Sequence, residues 1–270
     1  MNYRPVMNQI PPVVKNLIII NVLLLFATWV LGGRGIDLVE YLGMHYPGSD
    51  KFMLHQIITH MFMHGGITHL FFNMFALWMF GRVLESVWGS QRFLVYYFVT
   101  GLGAVALHTF VNYLEISSMQ HTIEAFRNTP SPEILDQFVS KHLSNASVQV
   151  RDFINTWYGD VANTAYANEG MKLMDRILQM KMDIPTVGAS GAVFGVLLAF
   201  GVLFPNTQLM LLFPPIPIKA KYFVIGYGAI ELYLGLAQPG SNVAHFAHLG
   251  GMLFGYLLIK YWNKSTKNFY

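Results

Sequence analysis

Apolar runs long enough to cross a bilayer as helix recur along this chain, near residues 13–33, 60–81, 91–113, 189–204, 219–237 and 244–262. A helix rises about 1.5 Å per residue, so roughly 20 apolar residues cover the ~30 Å hydrocarbon core. In lipid every backbone N–H and C=O must find a partner within the protein, which leaves only helices or closed barrels. The runs show no period-two alternation, so the expected fold is all-α: a polytopic bundle of six transmembrane helices. Composition agrees, with 54% hydrophobic and 11% charged residues against the roughly 25% charged residues of a soluble domain. The first run follows Arg4 and Lys15 as a signal peptide would. No small-x-small cleavage site follows it, so it is expected to remain as the first helix.

Between the third and fourth runs lies the one long polar stretch, 114–183, an insertion in a chain that otherwise reads as a single domain over 1–270. Ser131-Pro132-Glu133 has the form of a helix start, with a capping hydroxyl, a first-turn proline and an acidic residue. Leu135, Phe138, Val139 and His142 follow at helical spacing. Phe153, Ile154 and Trp157, then Met171, Met174, Ile177 and Leu178, predict two more amphipathic helices. Such helices can fold on themselves, cap the bundle, lie on the outer leaflet or meet a partner.

Charge and cysteine content exclude several functions. The net charge of +3 is spread over helix ends rather than gathered in a patch, so no nucleic acid partner is expected. With no cysteine there is no disulfide, thiol nucleophile or thiolate metal site. With the N-terminus inside, the inner segments hold Arg4, Lys15, Arg82, Arg92, Lys219, Lys221, Lys260, Lys264 and Lys267, and the short outer loops only Arg34 and Lys51. That asymmetry predicts both termini in the cytoplasm.

Against this apolar background a few polar residues stand out. Gly188-Ala189-Ser190-Gly191 opens the fourth run, and Ala247-His248-Leu249-Gly250-Gly251 begins the sixth. Helix rise puts Ser190 about 21 Å, His69 roughly 20 Å and His248 roughly 18 Å above the inner ends of their spans, a common depth. Gly191 and Gly195 on one run, and Ala247, Gly251 and Gly255 on the other, are small-residue ladders that let helix backbones approach closely. A serine hydroxyl beside an imidazole is a nucleophile beside its base. The Ser190 amide, unpaired at a helix start, can donate to an oxyanion. His69 and Asn73 share a face of the second run and can donate to the same oxygen. No acidic third member accompanies the pair in this reading, so nothing charged orients the imidazole, and Glu231 in the fifth run has no assigned role. His245 competes with His248 as base but lies farther from the Gly251–Gly255 face. His60, His64 and His69 with Glu85 form no His-Glu-x-x-His and are not expected to hold a metal; His60 and His64 are expected to hydrogen-bond the preceding outer loop. Glu85 is expected to pair with an arginine or cap a loop.

Taken in order, His64-Gly65-Gly66, His69-Leu70-Phe71-Phe72-Asn73, Glu85, Gly188-Ala189-Ser190-Gly191, Ala247-His248-Leu249-Gly250-Gly251 and Gly255 resemble the rhomboid intramembrane serine proteases of bacterial type. Pro215-Ile216-Pro217-Ile218-Lys219 is similar to many bacterial members. The resemblance covers nearly all the chain outside 114–183. It implies a cavity open to the outer face of a bacterial inner membrane, Ser190 as nucleophile, His248 as base, and His69, Asn73 and the Ser190 amide as oxyanion hole. It implies no cofactor, transmembrane proteins as substrates, cleavage near their outer ends, and the fifth span or the 238–243 loop as gate. Two positions depart from the pattern. His55-Gln56 stands where many members have Trp-Arg, and Phe194 where a relative has a tyrosine stacked on the catalytic histidine. A catalytically inactive relative that binds membrane helices is the alternative; a solute transporter would require broken helices or mid-membrane charge relays.

Overall fold

The computed structural model describes residues 10–143, 146–210, 215–237 and 243–265. Helix α1 (Pro12–Gly32) starts on a proline, whose missing N–H is no loss at a helix end. The next two amides, Val13 and Val14, donate to the Glu85 carboxylate at 3.0 and 2.8 Å, and Ser90 Oγ donates to it at 2.6 Å. Glu85 therefore caps the start of α1.

The following loop carries two short helices, α2 (Leu38–Leu42) and α3 (Gln56–Thr59). Gln56 lies fully buried at its centre. Its Oε1 accepts from the His45 and Met53 amides and its Nε2 donates to the Lys51 carbonyl at 3.0 Å, while His55 Nε2 sits 2.8 Å from the Tyr41 carbonyl. His55-Gln56, the pair read above as a departure from Trp-Arg, thus organises this loop from within.

The second span begins later than hydropathy predicts. Residues His60–Phe62 form a single 3-10 turn, and Gly65-Gly66 interrupt the chain before α4 (Ile67–Ala76). A π-helical segment, Leu77–Gly81, joins α4 to α5 (Arg82–Trp88). The third span, α6 (Ser90–Asn128), runs well past the apolar limit at 113. Neither glycine nor proline occurs between Gly103 and Pro130, and helices end at breakers rather than at a change of polarity.

The C-terminal part of α6 supports the insertion, formed by α7 (Pro132–His142), α8 (Val148–Gly159) and α9 (Thr164–Asp183). The three helices are capped in turn by Ser131, Ser147 and Asn163, whose side chains accept from Ile134, Val150 and Ala165 amides. Met119, Phe126, Leu135, Phe138, Trp157 and Met174 close a core of their own, separate from that of the bundle. Lys181 pairs with Glu115 at 2.9 Å, joining α9 to α6. The insertion is folded on itself.

Beyond α9 the chain is tied to the loop between α1 and α4. Ser49 Oγ donates to Asp183 at 2.6 Å, Met44 and Thr186 exchange backbone hydrogen bonds at 2.9 and 2.8 Å, and the Gly188 amide donates to His60 at 2.9 Å. These contacts fix the entry to α10 (Ser190–Leu203), which is buried nearly all round between α6 and α12 (His245–Ser265). A small antiparallel ribbon, β1 (Gln208–Met210) and β2 (Pro217–Lys219), pairs Gln208 with Lys219 and leads into α11 (Ala220–Ala237). That helix packs on α12 and exposes Tyr222, Ile225, Tyr233 and Leu236 on its other face. Among the described residues, Pro12–Gly32, Ile67–Trp88 and Ser90–Asn128 are long and apolar enough to cross a membrane, and Ser190–Leu203 is apolar but shorter. The protein is an all-α polytopic membrane protein.

Candidate active site

Glycine brings the site's helices into contact. A Cβ on Gly251 of α12 would fall on the carbonyl of Gly191 of α10, and one on Gly191 would fall on Ala104 of α6. Gly195 and Gly255 likewise abut Thr100 and Tyr96 of α6, and the Tyr96 hydroxyl donates to the Gly195 carbonyl at 2.8 Å. The two ladders therefore form a three-helix junction with α6 rather than a simple pair. Gly188 has φ +129, a conformation that side chains resist, and the His69 ring occupies the place of its missing Cβ.

At this junction His248 Nε2 lies 2.9 Å from Ser190 Oγ. The imidazole is held on its other sides as well. Phe194 stacks on its face at 4.1 Å with the rings 4° from parallel, so a phenylalanine supplies the stacking surface. On the far edge, His248 Nδ1 lies 2.8 Å from Glu231 Oε2. The sequence reading placed no acidic group beside this histidine, and the structure brings Glu231 against it. Glu231 belongs to α11, and its approach depends on how α11 is rotated against α12, which spacing along the chain does not encode. A buried carboxylate within an apolar run was the available signal. His245, the competing base, has its Nδ1 2.7 Å from the same Glu231 oxygen.

The three donors of Glu231, His245 and His248 lie within 4.8 Å of one another, a set of the kind that holds zinc. Ligands about 2.0–2.2 Å from a tetrahedral metal sit roughly 3.3 Å apart. Each imidazole nitrogen is instead 2.7–2.8 Å from the carboxylate oxygen, which is the spacing of a shared proton.

On the second span, the Gly65 amide donates to His69 Nδ1 at 3.4 Å, leaving the proton of this ring on Nε2. That nitrogen lies 3.0 Å, and Ser190 Oγ 3.6 Å, from the point a Gly188 Cβ would occupy. Asn73 is buried one turn below, and one of its amide hydrogens is committed to the His69 carbonyl at 2.9 Å. The structure thus brings His69 beside Ser190 and keeps Asn73 a turn away on the same helix. His60 bonds within the loop between α1 and α4, its Nδ1 lying 2.9 Å from the Gln56 carbonyl. His64 packs edge-on against His69 at 5.0 Å instead. A crevice of about 10 Å³ beside Ser190, room for about one water, is walled by Thr186, Gly188, Ala244 and Ala247. Residues 238–242, most of the expected gate loop, lie outside the described residues.

These features define a class, a helical membrane protein with a serine–histidine pair inside its bundle, and sequence comparison supplies the family. The rhomboid domain model matches residues 51–118 and 158–264, and the chain belongs to the rhomboid family. The match passes over much of the insertion. The chain is 24% identical over 211 residues to the mitochondrial Rhomboid protein 1 of Saccharomyces cerevisiae, covering 78% of this chain and 42% of that protein. It is 23% identical over 253 residues to the human mitochondrial Presenilin-associated rhomboid-like protein, covering 92% and 48%. A shorter match, 41% over 59 residues, joins 22% of it to 12% of Rhomboid protease GluP of Bacillus subtilis. The chain spans about half the length, or less, of these relatives.

Proposed function

We propose that this protein is an intramembrane serine endopeptidase that hydrolyses peptide bonds in or near transmembrane segments of membrane proteins. The 2.9 Å contact between Ser190 Oγ and His248 Nε2 carries the reading. In it, His248 Nε2 takes the hydroxyl proton as Ser190 Oγ bonds to the substrate carbonyl carbon. The oxygen becomes an oxyanion, met by the Ser190 amide and His69 Nε2–H, with Asn73 in reserve on the same helix face. The C–N bond then breaks and the leaving amine takes the proton from His248. A water, deprotonated by the same nitrogen, attacks the acyl-enzyme; the ester bond breaks, a carboxylic acid leaves, and Ser190 recovers its proton.

Six spans, cytoplasmic termini and a site facing the outside of a bacterial inner membrane complete the proposal, supported by the lysine and arginine asymmetry. Retention of both Ser190 and His248 at hydrogen-bond distance weighs against an inactive, helix-binding relative. The test is cleavage of a model transmembrane substrate in proteoliposomes by wild type, Ser190→Ala and His248→Ala. Both variants are expected to be inert, and wild-type turnover by Ser190→Ala would refute the reading.

A further inference from the structure

We infer that Glu231 is the third member of the catalytic group, a positioning residue that sets the tautomer and angle of the His248 imidazole, and that His245 holds the carboxylate in place for it. The inference rests on the reading of Ser190 and His248 as nucleophile and base.

Every edge of the His248 ring is engaged: Nε2 by Ser190, one face by Phe194, Nδ1 by Glu231. A carboxylate can only accept, so the proton of a neutral His248 must sit on Nδ1 and the lone pair on Nε2, facing the serine hydroxyl. This is the tautomer a general base needs. With an uncharged, non-accepting neighbour nothing would favour it over the inert alternative, in which Nε2 carries the proton. Once His248 takes the serine proton, the same carboxylate faces an imidazolium and stabilises it.

Glu231 is 4% exposed, and a carboxylate withdrawn from water is costly unless hydrogen-bonded. His245 provides the compensation. Its Nδ1–H donates to the same Oε2, which fixes that oxygen between the two rings. The residues are spaced so that His245 and His248 lie on one face of α12, toward α11. If Glu231 served only to bind α11 to α12, its loss would lower stability and leave turnover per folded molecule untouched.

The experiment uses the full chain in proteoliposomes with a model transmembrane substrate. Glu231→Gln is expected to lower kcat by about 10²–10⁴-fold, with KM and thermal unfolding close to wild type and labelling by a fluorophosphonate slowed in parallel. Glu231→Asp, which keeps the charge on a shorter arm, is expected to recover part of the loss. Nitrogen spectra of isotope-labelled histidine should show neutral His248 protonated on Nδ1 in the wild type and mixed in Glu231→Gln. A Glu231→Gln enzyme with wild-type kcat, beside inert Ser190→Ala and His248→Ala, overturns the inference and leaves the protease reading standing. Should Glu231→Gln fail to fold, the wild-type spectrum decides, because His248 protonated on Nε2 is incompatible with the proposed role. Wild-type turnover by Ser190→Ala would instead remove the reading beneath it.

Discussion

The packing at Gly251 leaves no room for a methyl group, because its Cβ would coincide with the carbonyl of Gly191. Gly251→Ala must therefore push α12 off α10, at a cost of about 1–3 kcal/mol. The larger effect falls on chemistry, since a misplacement of about 1 Å between reacting groups costs on the order of 10²-fold. We predict that loss of turnover with retention of a folded bundle, read by cleavage assay and thermal unfolding side by side. The hydrogen-bond spacing around Glu231 yields a second prediction. If protons rather than a metal join it to His245 and His248, turnover is unchanged by exhaustive treatment with chelators; loss restored by zinc would contradict this. Of the candidate site residues, Ser190, His248 and His69, which the structure brings together, stood out in the sequence because each is a polar group set at matching depth in an apolar run. Glu231 carried the same signal, but its partners sit on another helix face that no spacing rule reaches.

Helix α11 contributes Glu231 to the site while its opposite face is exposed along the edge of the bundle. If the carboxylate must stay against His248 during turnover, α11 cannot swing away from α12 at this level to admit substrate. A Cβ at Gly228, one turn from Glu231, would lie 3.1 Å from the Met252 methyl on α12. The chain has no cysteine, so Gly228→Cys with Met252→Cys can be joined selectively by a short thiol cross-linker. The joined enzyme is expected to keep its turnover within about twofold; complete loss on joining, reversed by cleaving the linker, would show that α11 must leave. The link from α9 to the loop between α1 and α4 should respond to acid. Burial raises the Asp183 carboxyl, but hydrogen bonds from Ser49 and Gln179 outweigh it and hold the group below its ordinary range. A lowered folded-state value means that the stabilisation is complete above the ordinary carboxylate range and is lost as pH falls through the lowered value. Limited proteolysis of the loop between α1 and α4 should accordingly accelerate at acid pH in the wild type and lose that dependence in Asp183→Asn.

Two cores in one chain make the molecule divisible. The insertion closes its own core around Trp157 and Phe126, while the bundle core surrounds α10. Trp157→Ala, at a side chain 1% exposed, should cost about 3–5 kcal/mol, and that loss should fall on the insertion. Proteolysis within 132–183 should rise while fluorophosphonate labelling of Ser190 persists; loss of both together would mean that the two cores are one cooperative unit. The sequence by itself determined the all-α membrane fold, the order of the apolar helices, the amphipathic insertion and which polar residues stand out from the apolar runs. It did so because lipid forces the backbone into helices and makes each polar exception visible. Only the tertiary structure decided how α6 extends into the insertion, that Gln56 organises the loop between α1 and α4, and that Glu231 meets His248. Those outcomes depend on the rotation and approach of helices distant in sequence. Such contacts are set by side-chain packing across the bundle, not by periodicity along any one helix.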